Sequence, residues 1–237
     1  LAQSADVLIL SLPNSAIVEA VMGAISAHCK PGALIIDTST ADPASTRRLA
    51  QESRTKGLAF VDAPVSGGAA GAAAGTLFIM AGGDAEALTR AKPYFDILGR
   101  ETVVCGGSGA GNVVKILNNA LCAAHLALAG EALHLGEQAG LDRAVLAGAL
   151  AKGSGRSGVF EVNLPKWVLS DSFDSGFTMG LMRKDVRLAR GLAEAVGAQA
   201  AHPAMLNAAS ALWRESAATL ADAEDFNRMV PFAGARV

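Results

Sequence analysis

The feature that most constrains the fold of this chain is the alternation of short apolar runs with longer segments of helical spacing over its first half. Each run has the length of a buried strand and is bounded by Pro, Gly or Asp, which favours strands. The predicted strands lie at residues 7–10, 33–36, 58–61, 77–80 and 102–105. The predicted helices between them lie at residues 15–28, 43–56 and 84–98. Apolar strands alternating with helices predict an α/β domain with a mainly parallel sheet.

The second half of the chain has a different pattern, because strand-like runs stop after Gly111. Apolar residues spread over 112–140 predict one long helix. Four further helices are predicted at residues 143–152, 159–169, 179–196 and 203–218. We therefore expect a boundary near Gly109, with the α/β domain over residues 1–108 and an all-helical domain over residues 109–237. The long helix is expected to act as the connector.

Charge and hydropathy exclude several classes of partner. Lys plus Arg is 20 and Asp plus Glu is 22, a net charge of −2, and like charges form no block. This balance argues against nucleic acid or an anionic membrane surface as the partner. The mean hydropathy of +0.34 is high, but polar residues interrupt the apolar stretches, so we expect no membrane-spanning helix.

Cysteines and histidines give no sign of a disulfide framework or a metal site. The three cysteines, Cys29, Cys105 and Cys122, are odd in number and far apart, which predicts a reducing, cytoplasmic compartment. The histidines show no metal-ligand spacing, so we expect no bound metal. They are His28, His125, His134 and His202.

The chain contains no G-x-G-x-x-G fingerprint. A dinucleotide-binding domain carries that phosphate-binding turn directly after its first strand. Residues 106–111, G-G-S-G-A-G, are similar, but Asn112 stands where the last glycine should fall. Because the chain begins without Met and enters a strand within a few residues, we expect an N-terminally incomplete domain whose turn lies upstream of Leu1. The alternative is a chain that binds no dinucleotide.

A glycine-containing loop is the first candidate binding element. Residues 62–68, D-A-P-V-S-G-G, follow a predicted strand. Gly67 and Gly68 allow positive φ and a close approach of backbone N–H groups to an anion, and Ser66 adds a hydroxyl donor. The segment could therefore hold a carboxylate. Judged on glycine content alone, an ordinary turn is the preferred alternative.

Lys115 and Asn119 form the second candidate. They are four residues apart near the start of the long helix, so both project from one face. Apolar neighbours would partly desolvate the lysine, which suits an amine to general acid/base chemistry, and the amide could orient a substrate hydroxyl. The alternative is a surface lysine whose stem lies along apolar residues.

Three other polar segments have both a functional and an ordinary interpretation. Residues 37–40, D-T-S-T, end a predicted strand, where open α/β sheets bind ligands, but hydroxyls there also cap helices. Leu12 and Pro13 follow the first strand and could form a plain turn. The charges of residues 183–185, R-K-D, could be the solvated face of a helix.

Together these segments resemble the β-hydroxyacid dehydrogenase family, which includes 3-hydroxyisobutyrate dehydrogenase and tartronate semialdehyde reductase. The resemblance runs nearly end to end, and its pieces stand in the family's order. They are A-D-V at 5–7 with L-P at 12–13, D-T-S-T at 37–40, D-A-P-V-S-G-G at 62–68 with G-T-L at 75–77, G-x-G-x-x-x-K-x-x-N-N at 109–119, and K-D-V-x-L-A at 184–189.

The resemblance implies a Rossmann-type dinucleotide-binding domain and a role for each matching residue. Lys115 falls on the catalytic lysine and Asn119 on its supporting amide. The substrate carboxylate would be held by Ser66, Gly67 and Gly68, while Phe177 and Asp185 match further positions that line the cleft. The implied cofactor contacts are Leu12, Pro13, Thr40 and Lys184.

The function implied by the family is NAD- or NADP-dependent oxidoreduction between a small 3-hydroxy acid and its aldehyde acid. The implied substrates are of the 3-hydroxyisobutyrate or 2-hydroxy-3-oxopropionate type, and family members are commonly dimers or tetramers. One alternative is a non-catalytic binding or scaffold protein, which would be expected to lose Lys115. Another is an imine reductase, a fold relative that typically replaces that lysine.

The long helix also predicts a homo-oligomer. It is apolar around most of its circumference, so it is expected to be buried on all sides. We expect that the four shorter helices do not cover it alone and that an interface between copies supplies the remaining cover. The alternative is that the sheet domain and the later helices bury it within one chain.

Overall fold

A computed structural model of the chain describes residues 1–197 and 203–236. These residues form two compact units, one from Leu1 to Leu117 and one from Asn118 onward. Unit 1 is a sheet with helices, and unit 2 is helical.

Unit 1 contains all the strands of the described chain. They are β1 Val7–Leu10, β2 Leu34–Asp37, β3 Ala59–Asp62, β4 Val65–Ser66, β5 Leu77–Gly83 and β6 Gly99–Gly106. The helices are α1 Ser15–Ile25, α2 Pro43–Thr55, α3 Gly68–Ala74 and α4 Ala85–Leu98, followed by the start of α5, Ala110–Gln138. The predicted strands and helices are present to within a few residues. The short elements β4 and α3 were not predicted.

The order of the sheet explains where polar side chains collect. Strands β1, β2 and β3 are neighbours and parallel, so their carboxyl ends lie at one edge, with Asp37 opposite Asp62. Strand β5 is antiparallel to β3 and β4 but parallel to β6. The predicted parallel arrangement therefore reverses once, between β3 and β5. Residues 63–76 contain only a two-residue strand and a short helix, whereas a parallel connection needs a long crossover.

The sheet is buried on both faces, which accounts for its continuous apolar strands. Leu34 and Ile36 pack into one apolar cluster together with Val61 and Ile79. Ile35, the residue between them, points to the opposite cluster. The period of two in a strand sends neighbouring side chains to opposite faces, so an unbroken apolar run fills both clusters.

Unit 2 is built from helices around one apolar core. After the rest of α5 come α6 Arg143–Leu150, a π-helical segment Val159–Val168, α7 Met179–Ala195, α8 Ala204–Glu215 and α9 Met229–Gly234. Trp213, Leu126 and Leu164 are among its fully buried side chains. The Trp213 indole N–H donates to the Ala123 carbonyl at 3.0 Å, which satisfies its polar atom inside the core.

By length and composition alone, α5 is long and apolar enough to cross a bilayer, although its apolar residues were expected to be interrupted before that length. The expectation of no membrane-spanning helix stays a prediction. Its Ala, Leu and Gly residues keep it apolar despite scattered polar residues. Half of its most apolar stretch is buried inside the chain, and the core helix of a soluble protein has the same properties.

Candidate functional site

The carboxyl ends of β1 and β2 are joined by side-chain hydrogen bonds. Asp37 ends β2, and its Oδ1 accepts from the Ser39 backbone N–H at 3.0 Å. Ser39 Oγ in turn accepts from the Leu12 N–H at 2.8 Å. Thr40 follows Ser39 and is half-buried, while Pro13 is exposed. The structure thus brings the loops that carry three predicted cofactor contacts to one edge of the sheet.

Asp37 and Asp62 are two fully buried carboxyl groups on neighbouring strands. Burial raises the pKa of each to about 6, because a charged carboxylate loses its hydration inside the protein. The nearby charge of Asp62 raises the pKa of Asp37 further, and the bonds to Ser39 oppose the shift. Neither side chain had been assigned a role from the sequence. The signal available was an acidic residue at the end of a buried strand.

The glycine-rich segment at residues 106–111 connects β6 to α5. In a phosphate-binding turn, the N–H groups at the start of the helix would face an anion from the ligand. Here the Gly109 and Asn112 N–H groups donate to the Asp62 carboxylate, at 2.7 and 3.0 Å. The start of α5 therefore already has an internal anion, which distinguishes this segment from a pyrophosphate-binding turn.

The loop at Ser66, Gly67 and Gly68 has the geometry that its glycines allow. Ser66 is half-buried in β4, and Gly67 and Gly68 are exposed, with φ of 128° and 63°. Side chains with a Cβ rarely adopt such positive φ values, so both positions favour glycine. The loop is accessible to a ligand. Its role in holding a carboxylate stays a prediction.

Lys115 is buried, with 6% of its surface exposed. The alternative of a surface lysine is therefore wrong. Lys115 lies one helical turn after Asn112, and Asn119 follows four residues later in α5, also buried. A buried amine requires compensating polar surroundings, which is typical of a functional or paired group.

Within unit 2, Asp185 joins two other predicted site residues. Its Oδ2 accepts from the Asn119 amide at 2.6 Å, and its Oδ1 lies 3.1 Å from Lys184 Nζ. The Asp185 side chain is 1% exposed and that of Lys184 is 18% exposed. Asp185 thus fixes one amide N–H of Asn119 and leaves the other N–H of that group for a further acceptor.

The charges at residues 183–185 are not a solvated helix face. Arg183, like Asp185, is buried. Its guanidinium donates to Ser216 Oγ and to the Trp213 and Leu220 carbonyls, and it pairs with Asp222. The helix-face interpretation fails because acceptors 30 or more residues away in sequence surround the guanidinium.

The remaining candidates lie elsewhere in the described chain. Phe177 packs edge-to-face on Phe226, with ring centroids 5.1 Å apart, at the margin of the unit 2 core. Its contact with substrate stays a prediction. Residues 1–197 and 203–236 hold no cluster of three His, Cys, Asp or Glu side chains suited to a metal. His202 lies outside the described residues.

Two family profiles match the chain in succession. The profile described as the NAD binding domain of 6-phosphogluconate dehydrogenase matches residues 1–107. The profile described as NAD-binding of NADP-dependent 3-hydroxyisobutyrate dehydrogenase matches residues 109–233. Together they cover almost the whole sequence, in the order that the family motifs predict.

Individual relatives agree with the profiles. The chain is 42% identical over 222 residues to an NAD-dependent L-serine dehydrogenase of Pseudomonas aeruginosa, covering 90% of this chain and 73% of the relative. It is 41% identical over 191 residues to 2-(hydroxymethyl)glutarate dehydrogenase of Eubacterium barkeri, covering 79% of this chain and 64% of the relative. The solved structure of Mycobacterium tuberculosis 3-hydroxyisobutyrate dehydrogenase with L-serine superposes with a TM-score of 0.87 at 33% identity, covering 97% of this chain and 79% of that one.

Proposed function

The chain belongs to the β-hydroxyacid dehydrogenase family, and on that premise we propose that it is an NAD- or NADP-dependent oxidoreductase of small 3-hydroxy acids. The substrate is of the 3-hydroxyisobutyrate or 2-hydroxy-3-oxopropionate type. The observation that carries the proposal is the buried Lys115 in the family's G-x-G-x-x-x-K motif. The named relatives are dehydrogenases, so they do not favour the scaffold alternative.

The sheet edge in unit 1 suits a dinucleotide cofactor. Open α/β sheets bind such ligands beyond the carboxyl ends of their parallel strands. Leu12 and Pro13 follow β1 and Thr40 follows β2, and the Ser39 hydroxyl bonded to Leu12 holds these two loops together. We assign these three residues to cofactor contact. From unit 2 we assign Lys184, whose ammonium lies 3.1 Å from Asp185 Oδ1.

The nicotinamide ring supplies the hydride acceptor or donor. The protein's part is to manage the proton on the substrate oxygen. During oxidation, the Lys115 amine accepts the hydroxyl proton as the carbonyl forms, and during reduction its ammonium returns that proton. Charge develops on this oxygen in the transition state, so a fixed donor beside it lowers the barrier. Asn119, oriented by Asp185, supports the same oxygen through its remaining amide N–H.

The substrate carboxylate is assigned to the loop of Ser66, Gly67 and Gly68. Its exposure and positive φ values support this assignment, because backbone N–H groups that no side chain shields can approach an anion closely. Phe177 and Asp185 are assigned as further substrate-site residues on the family match.

Replacement of Lys115 tests the proposal. Lys115→Ala is expected to lower turnover by about 10² to 10⁴, the usual contribution of general acid/base assistance. Cofactor affinity should change little. Turnover is followed by NADH or NADPH absorbance with 3-hydroxyisobutyrate. The control is Lys92→Ala, since Lys92 is an exposed residue paired with Asp96. Near-normal turnover in Lys115→Ala would contradict the assigned role.

We also propose that the protein is a homodimer or homotetramer. One stripe of α5 remains exposed within the chain, at Leu117, Leu121, Leu128 and Leu135, with 47 to 61% of each surface accessible. Intervals of four and seven residues place these leucines on one helix face. That stripe supports the proposal, because the described part of the chain leaves this face of α5 uncovered and an interface between copies would cover it. Light scattering at micromolar concentration checks the proposal, and a monomer mass would contradict it.

The domain boundary and the location are proposals as well. The first family profile ends at residue 107 and the second begins at residue 109, which supports a domain boundary at 108–109. A cytoplasmic location is supported by three free cysteines. The predictions that neither nucleic acid nor a membrane is a partner stay predictions.

A further inference from the structure

The first turn of α5 is attached to unit 1 through the Asp62 carboxylate. Oδ1 accepts from the Gly109 N–H at 2.7 Å and Oδ2 accepts from the Asn112 N–H at 3.0 Å. Asp62 lies at the end of the buried strand β3, paired on both sides within the sheet. A carboxylate at this position connects the sheet to the start of the helix through two charge-assisted bonds.

Glycines close the space around this carboxylate. A Cβ on Gly82 would lie 2.8 Å from Asp62 Oδ1, and a Cβ on Gly111 would lie 3.0 Å from Asp62 Oδ2 and in contact with the Met80 carbonyl. The backbone of β5 and the first turn of α5 therefore approach Asp62 at distances that only glycine permits. The start of the helix has little room to shift.

Asn112 provides a second attachment for the same turn. Its side-chain Oδ1 accepts from the Ala41 N–H at 2.9 Å, and its Nδ2 donates to Thr46 Oγ1 at 3.2 Å. Asn112 is fully buried. Ala41 follows Thr40 directly, so this amide connects the proposed cofactor loop to the helix that carries Lys115.

We propose that Asp62 and Asn112 are positioning residues that set the place of Lys115 relative to the Thr40 loop. The inference rests on the proposed function, because it assigns Lys115 the proton transfer. Lys115 follows Asn112 by three residues in a continuous helix, so a displacement of the first turn moves the lysine with it. Misplacing a catalytic group by about 1 Å can cost about 100-fold in rate.

Kinetic measurements on the protein test the positioning role. Asp62→Asn replaces one acceptor oxygen by a donor that would face a backbone N–H, so one of the two bonds is lost. We expect kcat to fall by about 10- to 100-fold while the KM for the hydroxy acid changes by less than about twofold. The matched control is Asp142→Asn, which alters the carboxylate that caps α6 through the Val145 N–H. That variant should keep the wild-type kcat, because this helix cap has only a structural role.

Hydrogen exchange separates this inference from the proposed function. In Asp62→Asn, the amides of residues 106–113 should exchange faster than in the wild type, whereas Asp142→Asn should leave them unchanged. Loss of activity in Lys115→Ala together with normal kcat and exchange in Asp62→Asn would overturn the positioning role alone. A wild type without dehydrogenase activity would overturn both proposals.

A second variant covers the case in which Asp62→Asn does not fold. Asn112→Ala removes the bonds to Ala41 and Thr46 but keeps the backbone N–H that Asp62 accepts. We expect a lower kcat and a raised KM for the cofactor, because the Thr40 loop loses its attachment. Thr46→Val removes only the weaker of the two bonds and should have the smaller effect. Unchanged kinetics in Asn112→Ala would overturn its part in the inference.

Discussion

The two units bury charged side chains in different ways. In unit 1, Asp37 and Asp62 accept hydrogen bonds from backbone N–H groups, and burial raises the pKa of each to about 6. In unit 2, Lys184 lies beside Asp185, and Arg183 beside Asp222. Backbone donors fix the path of loops at the end of a sheet. Lys184 and Asp185 are neighbours on α7, whereas the Arg183–Asp222 pair and the Asn119–Asp185 bond join α7 to other segments.

The difference matters for function because each arrangement controls a different variable. The carboxylates of unit 1 set the positions of main-chain segments: Asp37 binds the Ser39 N–H beside Thr40, and Asp62 binds the start of α5. Asp185 sets the orientation of one side chain, the Asn119 amide. We therefore expect the stability of unit 1 to change when a substitution blocks the close approach of two backbone segments or when pH changes. In unit 2, we expect stability to fall when a substitution removes a hydrogen-bonding partner.

The largest loss of stability is expected at Arg183. Arg183→Met leaves Ser216 Oγ and the Trp213 and Leu220 carbonyls without their guanidinium donor. The Trp213 carbonyl keeps the Ser216 hydroxyl as a donor, but the loss of several buried charge-assisted hydrogen bonds predicts a loss of about 3 to 5 kcal/mol in the free energy of unfolding. Urea denaturation measures the loss. On the same helix, Arg190→Met removes a surface pair with Glu194, and among the described residues this should cost under about 1 kcal/mol. Equal losses in the two variants would contradict the prediction that the buried contacts of Arg183 stabilise the fold more than a surface ion pair does.

The next effect is a pH dependence at Asp37. The folded pKa of about 6 lies above the ordinary value of 3.8, so between these values the folded state binds the proton more tightly. The stability contribution of Asp37 is therefore greatest at low pH and falls as pH rises from about 4 through 6. Asp37→Asn does not titrate, so its stability relative to wild type should rise over that range by about 2 to 3 kcal/mol, at 1.36 kcal/mol per unit.

Urea denaturation at pH 4.5 and pH 7.5 measures the change at Asp37. Asp6→Asn is the control, because the Asp6 carboxylate is exposed beside Lys30 and burial contributes little there. A difference between Asp37→Asn and wild type that stays constant with pH would show that the buried carboxyl is not destabilised by ionisation.

The smallest effect tests backbone approach in unit 1. In Gly111→Ala, the new methyl would contact the Met80 carbonyl and Asp62, and such overpacking predicts a loss of about 2 kcal/mol. Gly107, four residues earlier, has open space where its Cβ would stand, so Gly107→Ala should change the free energy of unfolding by less than about 0.5 kcal/mol. Thermal denaturation of the two variants measures the difference. Equal midpoints would mean that the first turn of α5 can move away from Asp62.

Local patterns were enough to predict most of the elements. The strands were found because their apolar runs are short and sharply bounded, and the helices because their apolar residues recur with helical period. The missed elements were short. Strand β4 has two residues, and α3 lies in the Ala- and Gly-rich run that was interpreted as a loop. Helix α9 is six residues long. Elements this short contain too few residues for a helical or strand period to be recognised.

The candidate site was predictable only in part, for the same physical reason. Lys115 and Asn119 share a helix face by spacing alone, and the 62–68 loop was visible as a motif. The partners of these residues were not visible. Asp62 meets Gly109 and Asn112 across 47 and 50 residues, and Asn119 meets Asp185 across 66.

By itself, the sequence determined the alternation of strands and helices, the change to an all-helical second half, and the residue types able to move a proton or hold a carboxylate. These features follow from local spacing and side-chain chemistry, which depend only on residues close together in the sequence. Only the tertiary structure decided that β5 is antiparallel to β3, that Arg183 and Asp185 are buried, and that the Asp62 carboxylate accepts hydrogen bonds from the start of α5. Strand direction, burial and the matching of donors to acceptors depend on segments that meet only after the chain has folded.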